Sequence, residues 1–387
     1  MPNSLLSRRR LIAAKVEGSE GTAETLAAAD AKILAYDPKV SYDFEMFQRN
    51  PARASSSPVG RIVGKRPAGL TFKLELRGSG TAATEPEWSK VLKACGYACS
   101  SLYSITVGAI TTGPFQHGEV ITGGTSNATG RVIINTANGV TTLYFVALSD
   151  TFQSGETITG GTSGAAATTG SVPSAVGKVW EPLTFNNGNI SSLTMGCYED
   201  GIKKVLRGCR GNVKFSFKSG EPAFMDFDFK GVEAGVTDSA MLSGIAHEST
   251  KPPAFVSASL AVDSIAALLS QIDIDTGASL NYRDDVNSDR GILSALITER
   301  ALSGSFDPEM VLAATYDYHS KWIAGTEAVL DFILGSTTGN KFRFYAPHVQ
   351  YTKVEDSDRN GIKVAACQFD LNAPIALGDT ELAILAL

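Results

Sequence analysis

Nowhere in the 387 residues does an apolar run approach the roughly 20 residues that cross a bilayer, so no membrane anchor is expected. Histidine is scarce. His117, His247, His319 and His348 lie far apart and offer no clustered imidazoles for a metal or a proton relay. Positive charge is in deficit, with 34 Lys and Arg against 40 Asp and Glu and a net charge of −6. A surface that grips nucleic acid through its phosphates needs a cationic patch or stripe, and this balance argues against one. A secretion signal is also not expected. Arg8, Arg9 and Arg10 are followed by only a short apolar stretch and then by acidic residues. Without a signal, the odd set Cys95, Cys99, Cys197, Cys209 and Cys367 reads as reduced thiols in a cytoplasm.

Glycine, by contrast, is abundant: 38 residues, nearly a tenth of the chain, where roughly 7% is ordinary. That excess disfavours a mainly helical protein and points to turns and hairpins. The length allows two or three domains with cores of their own. Residues 1–30 are polar and rich in Ala, Gly and Glu, with Gly18 and Gly21 breaking any helix. They read as an arm that needs a partner to become ordered, or else as a plain disordered terminus.

Strict alternation then marks strands. Leu70, Phe72, Leu74 and Leu76 fall on one face of residues 70–77, with Thr71, Lys73, Glu75 and Arg77 on the other. Residues 212–218 and 225–230 read as a hairpin around a turn at 219–222. It has Val213, Phe215, Phe217, Phe227 and Phe229 on the dry face, and Asp226, Asp228 and Lys230 on the wet one. Short helices are expected over 85–94 (Trp88, Leu92 and Cys95 on one stripe, Gly96 as stop), near 263–269 after Asp263 and Ser264, and over 308–323 with Pro308 first and Gly325 as stop. Further strands are expected from Ser279, from Leu296, and over 328–334, 341–345, 361–371 and 381–387.

Residues 104–174 differ in kind, being Gly-, Thr-, Ala- and Ser-rich with few charges. They hold an internal repeat: 115–126 (FQHGEVITGGTS) and 152–163 (FQSGETITGGTS) agree at ten of twelve positions. Strands are expected at 130–135 and 142–147 around an Asn138-Gly139 turn. The segment reads as a small β-module inserted into a host domain. Set aside, it leaves two halves with similar element order. In the first, a strand ending at Leu76, the glycines 78 and 80 and a helix with Trp88 precede strand 192–198 and a hairpin. In the second, a strand through Ile297, a turn at Gly304-Ser305 and a helix with Trp322 precede strand 328–334 and a strand pair. Chance similarity of two α+β halves is the duller alternative.

No chemical constellation stands out. No nucleophile elbow surrounds Ser79, and the cysteine spacings are not those of zinc sites. Asp356, Asp358 and Asn360 begin a calcium-loop pattern, but Cys367 stands where its bidentate carboxylate belongs. A hairpin loop is the simpler reading. No cofactor and no enzymatic activity are expected.

Diffuse motifs carry a resemblance. They run Lys15-Val16-Glu17-Gly18-Ser19-Glu20-Gly21-Thr22 and residues 30–34, then 47–49, 74–80, Trp88 and Cys95-Gly96. They resume at 198–208 (YEDGIKKVLRG) and 218–223 (KSGEPA), and continue through 297–300, 306–309 and 359–361. Over nearly the whole chain except 104–174, the sequence resembles the tail tube proteins of tailed bacteriophages. The resemblance implies a mainly β fold with short helices. Two tandem tail-tube β-sandwich domains, each with a flanking helix, would occupy 31–103 with 175–250, and 251–387. The insert 104–174 would be a decoration module of the kind found on virion proteins, and 1–30 an assembly arm.

The resemblance also implies stacked homo-oligomeric rings in a virion tail, assembled in a bacterial cytoplasm, with three chains of two domains favoured over six. Tape measure, tail terminator and distal tail proteins would be the other partners. DNA would pass through the lumen without being bound, past Asp226 and Asp228 at the lumen or its rim. Arg8, Arg9, Arg10, Lys15 and Glu17 would serve the arm between rings. The module's repeat residues are Phe115, Gly118, Glu119, Phe152, Gly155 and Glu156. A capsid or baseplate protein, or a glycan-binding adhesin acting through the repeat, are the alternatives.

Overall fold

The computed structural model describes residues 5–387 apart from Asn138, Asn187, Ser264 and Ala376. The chain is mainly β. Its first half contains β1 (Arg10–Val16), β2 (Ala35–Tyr42), the short pair β3 (Met46–Phe47) and β4 (Ile62–Val63), β5 (Pro67–Glu75) and helix α1 (Ser89–Lys93). Strand β6 (Tyr97–Thr106) leads into β7 (Val120–Gly123), β8 (Thr129–Val132), β9 (Thr142–Ser149), β10 (Thr157–Gly160) and β11 (Ala166–Thr168). The chain returns through β12 (Ser174–Pro182), β13 (Leu193–Glu199), β14 (Ile202–Lys218) and β15 (Phe224–Asp238). The second half contains β16 (Ala261–Val262), β17 (Ile265–Ala266), β18 (Gln271–Asp275), β19 (Ala278–Asp284), β20 (Ile292–Arg300), β21 (Ser303–Phe306), α2 (Tyr318–Ala324), β22 (Glu327–Leu334), β23 (Phe342–Arg359), β24 (Ile362–Leu371) and β25 (Ala383–Ala386).

Eight strands lie side by side in the order β2, β5, β15, β14, β18, β21, β24, β23, each antiparallel to the next. Alternation decides their faces. Leu70, Phe72, Leu74, Phe215, Phe217, Phe227, Phe229, Ile272, Ile274 and Phe369 are buried on one side, and polar residues take the other. Behind the buried face a second layer runs β22, β23, β25, β12, β6, with the first half of β23 in it. Aromatic side chains fill the gap. The Phe217 ring stands edge-on to Phe332 and Phe344, with centroids 5.0 and 4.8 Å apart, and Trp88 meets Trp180 at 4.7 Å. Two sheets packed on one apolar layer make a β-sandwich.

The pairing scheme occurs twice. β1–β13, β2–β5, β3–β4, β5–β15, β13–β14 and β14–β15 recur in the same order as β16–β22, β18–β21, β19–β20, β21–β24, β22–β23 and β23–β24. A short helix follows β5 in one set and β21 in the other. The counterpart of β5 in the second half is thus β21 and not the strand through Ile297. Gly304 and Ser305 lie inside β21 and form no turn.

Three further expectations are corrected. The helix near 263–269 is absent. β16 instead joins the edge of β22 and folds back on β17, while Ser264 lies outside the described residues. The helix expected from Pro308 begins only at Tyr318, capped by Asp317, whose carboxylate accepts from Ser320 N at 2.9 Å. Residues 308–310 are held extended by β24, with Ala365 N donating to Pro308 O and Met310 N to Lys363 O. The carboxylate of Asp307 is already occupied by the amides of Ser270 and Gln271. The expected stop at Gly325 is kept, in the left-handed conformation at φ +62°. Finally, residues 10–30 need no partner to be ordered. β1 pairs along its full length with β13, and Ile12, Ala13 and Ala14 are fully buried.

Candidate functional site

The polar face of the eight-stranded sheet runs across both halves of the chain. One row crosses all eight strands as Tyr36, Lys73, Asp226, Lys214, Asp275, Ser303, Asp370 and Gln350. A second row runs Glu75, Phe224, Ser216, Asp273, Ser305, Gln368 and Lys353. Asp228 stands in a third, beside Thr71 and Asn212, with Lys39 beyond Thr71. Both Asp226 and Asp228 therefore lie on the open face. These rows hold six carboxylates (Glu75, Asp226, Asp228, Asp273, Asp275, Asp370) and four lysines (Lys39, Lys73, Lys214, Lys353).

Several carboxylates are held in place. Lys73 Nζ lies 3.2 Å from Asp226, Asn212 donates to Asp275 at 2.8 Å, and Ser216 donates to Asp273 at 2.7 Å. In these three rows carboxylates outnumber lysines, and no nucleophile–base pair stands among them. A cavity of about 560 Å³ lies elsewhere, between Cys95, Tyr97, Phe185, Ile297 and Arg300. Arg300 is neutralised there by Glu381 and Asp379, and burial pushes the Cys95 thiol well above its ordinary value. The five cysteines are free thiols.

The N-terminal motif turns out to be a clamp. Glu17 is buried, and its carboxylate accepts from Ser192 Oγ (2.6 Å), Thr194 Oγ1 (3.0 Å), Gly208 N (2.7 Å) and Gly21 N (2.8 Å). Glu20 meets Arg210, which is almost fully buried and also donates to the carbonyls of Ile190 and Ala295. Lys15 pairs with Glu24 at 2.9 Å, and that contact raises its pKa. Arg9 pairs with Asp200, and Arg10 donates to Pro38 O at 3.0 Å. Arg8 is exposed. Of the residues assigned to an arm, Arg8, Arg9 and Arg10 are exposed, Lys15 is half-buried and Glu17 is buried. Arg210 and Glu20 were missed in the sequence, although Glu20 sits inside a motif that was noticed.

The repeat of the insert has an internal purpose. Glu119 of the first copy accepts from Thr162 N, Ser163 N and Ser163 Oγ of the second, at 3.2, 3.0 and 2.9 Å. Glu156 of the second accepts from Thr125 N, Ser126 N and Ser126 Oγ of the first, at 3.1, 2.9 and 2.8 Å. Each also accepts one amide from its own copy, Gln116 N and Gln153 N. Each Gly-Gly-Thr-Ser loop is thus a cradle for the other copy's carboxylate, which needs bare glycine. A Cβ on Gly123 would stand 2.6 Å from Glu156 Oε2, and one on Gly160 2.7 Å from Glu119 Oε2. Burial alone would raise the pKa of Glu156, but the donors of Ser126, Gln153 and Thr125 hold it below the usual value.

Gly118 and Gly155 take the same left-handed turn, at φ +81° and +83°. Phe115 and Phe152 are buried in the module's own core, so neither is available to stack on a sugar. Strands β8 and β9 pair as expected, although Asn138 of the anticipated turn lies outside the described residues. A bidentate pair at 2.7 and 2.6 Å, Arg131 to buried Glu181, ties the module to β12.

Comparison with known proteins agrees with this architecture. A family model described as phage tail tube protein matches residues 7–375, spanning both halves and the insert. No curated protein matches the chain. A virion tail location and assembly with itself and with other tail proteins go with that family, which is structural and not an enzyme class. With a match this complete over a doubled, mainly β sandwich, the chain belongs to the phage tail tube protein family.

Proposed function

We propose that the chain polymerises into stacked rings that form the tube of a phage tail, the conduit for DNA during ejection. Three chains close each ring, because each supplies two copies of the tube domain. The observation that carries this reading is the doubled pairing scheme, which gives one chain eight strands in a single continuous sheet. The polar face of that sheet lines the lumen. Its slight excess of carboxylates lets phosphates pass without the ion release that makes binding tight.

Contact between rings falls to the exposed hairpin around β3 and β4, where Phe44, Met46, Phe47, Ile62 and Val63 are open to solvent, rather than to residues 10–30, which are occupied within the chain. The insert projects outward, where loop insertions are tolerated. A module there would obstruct a sheath and suits a long non-contractile tail. Tape measure, terminator and distal tail proteins meet the tube at its bore and its ends. Cryo-imaging of the assembled tube tests this: three chains per ring with Asp226 and Asp228 inside are expected. Six chains per ring, or both aspartates on the outer wall, would refute the arrangement.

A further inference from the structure

The two copies of the repeat differ at two of their twelve positions, His117 against Ser154 and Val120 against Thr157. The first difference coincides with a difference in setting. Ser154 and Gly155 are exposed, whereas His117 and Gly118 are buried. A Cβ on Gly155 would meet nothing within 4 Å among the described residues, while one on Gly118 would stand 3.0 Å from Thr380 Cγ2 and 3.3 Å from Leu377 Cδ1. One turn of the module is therefore free, and its twin is pressed against the host. Around it, Ile133, Ile134 and Val146 of the module pack with Val179, Tyr345 and Leu385 of the host.

The imidazole of His117 lies in this contact with one nitrogen used and one idle. Nδ1 meets the carbonyl oxygen of Ile133, which can only accept, so Nδ1 carries the proton. Nε2 is then a bare lone pair, buried and without a hydrogen-bond partner among the described residues. Glu181 Oε1 on β12 stands 3.9 Å from it. Both oxygens of that carboxylate are already taken by the Arg131 guanidinium of β8, at 2.7 and 2.6 Å. From β23, the Tyr345 ring lies 5.8 Å away between centroids, and its hydroxyl accepts from Asn135 N at 3.2 Å. His348, also on β23, is turned to Glu327 at 2.7 Å. Asp379, beside the residues over Gly118, is bound to Arg300. Glu119, two residues along, accepts from Ser163 of the other copy. Each of these carboxylates has a partner of its own.

We infer that His117 is an acid-sensitive latch between module and host, closed while its ring is neutral and loosened when the ring is protonated. A proton on Nε2 would add a third charge beside the Arg131–Glu181 pair and leave a net positive charge in a dry contact. Lifted off the host, the same ring would be hydrated, as Ser154 is, and would take the proton freely. Burial accordingly pushes the His117 pKa down, and the attraction of Glu181 offsets this only in part. The docked state binds the proton less well than the released one. Its stability is therefore full above the ordinary histidine range and is lost as pH falls from there through the lowered docked value. The Glu119 and Glu156 exchange lies inside the module and begins to respond only in the carboxylate range. Mild acid thus frees the module from its host before it unfolds the module itself. The latch lies within one chain and does not depend on how copies assemble.

The test follows the full chain from about pH 7.5 to about pH 5, across the ordinary histidine range. Hydrogen exchange, corrected for the intrinsic rate at each pH, should show protection of residues 133–136 falling about tenfold in the wild type. Residues 158–163 of the module and 213–217 of the host should hold theirs, which also establishes that each variant is folded. His117→Ser, the residue that the second copy carries in the same turn, should give protection at 133–136 that no longer changes with pH. In parallel, imidazole nitrogen shifts of the wild type, assigned by the signal that His117→Ser lacks, should show Nε2 unprotonated at a pH where an ordinary histidine is half charged. An equal pH response in the wild type and His117→Ser would overturn the latch. So would a His117 ring that takes its proton in the ordinary range or above it, with docking unchanged or tighter in acid. If His117→Ser is open at every pH, the imidazole titration of the wild type decides.

Discussion

The insert and the eight-stranded sheet are both doubled, and the two doublings end in opposite ways. In the insert the contact is reciprocal: Glu119 sits in the second copy's loop and Glu156 in the first copy's loop. Each half satisfies the other, nothing is left over, and the unit is finished at two. In the sheet the contact runs head to tail. β14 of the first half meets β18 of the second, and the corresponding edges on β23 and β2 are left open. A reciprocal interface closes on itself, while a head-to-tail one propagates. One duplication therefore completes a unit of fixed size, and the other leaves a sheet with two open edges.

The sharpest way to break this comparison is to remove one exchanged carboxylate. Glu156→Ala strands the amides of Thr125, Ser126 and Gln153, and the loss of stability in the module should be about 3 kcal/mol. Glu119→Ala should cost about the same, because the exchange is symmetric. Hydrogen exchange of residues 121–126 and 158–163 reads both. If Glu156→Ala loosens only its own copy, the reciprocity is wrong. Glu156 also gives a pH dependence. The pKa of Glu156 is lowered on folding, so its contribution is full above the ordinary glutamate range and is lost as pH falls through the lowered folded value. An acid titration of the module should flatten in Glu156→Gln.

A smaller effect separates the two regions. Gly123→Ala pushes a methyl group into the Glu156 carboxylate and should cost the module about 1–3 kcal/mol by overpacking. Gly304→Ala meets the Phe369 ring and should cost the sheet a similar amount while leaving the module's transition unmoved. Coupled losses would show that the two duplications are one folding unit. The smallest effect is expected at Asp226→Asn. Its pair with Lys73 is solvent-exposed, so chemical denaturation should shift by no more than about 1 kcal/mol. A larger loss would mean that the polar face is structural rather than a surface kept open.

Much of this was legible because strands declare themselves by alternation. Phe215, Phe217, Phe227 and Phe229 point inward as their spacing requires, and Asp226 and Asp228 point outward. What escaped was whatever depends on distant partners. The run after Asp263 has too few apolar positions to separate a turn of helix from a pair of short strands, and the free edge of β22 settles it. Pro308 looks like a helix start, but Asp307 before it is spent on Ser270 and Gln271. The polar N-terminus looked unsupported because the groups that satisfy Glu17 and Glu20 come from residues 192–210 and 294. The repeat was visible at once. Its meaning was not, since a Gly-Gly-Thr-Ser loop looks equally apt for a sugar or for a neighbour's carboxylate.

Ser104 and Ser174 face each other across β6 and β12, so the insert leaves and re-enters the host at a single rung of one ladder. The eight rungs from there to Tyr97 and Pro182 stay matched whatever hangs beyond them. A tight turn could replace residues 105–173 with no change of register, which makes the position a socket in which one ornament can be exchanged for another. The exchange would uncover Val179, Tyr345 and Leu385, which pack with Ile133, Ile134 and Val146 of the insert, and it would leave one charged mark. Glu181 is buried and bound by Arg131 of the insert. In a bare relative that carboxylate would be stranded, so lineages without the ornament should carry an uncharged residue there.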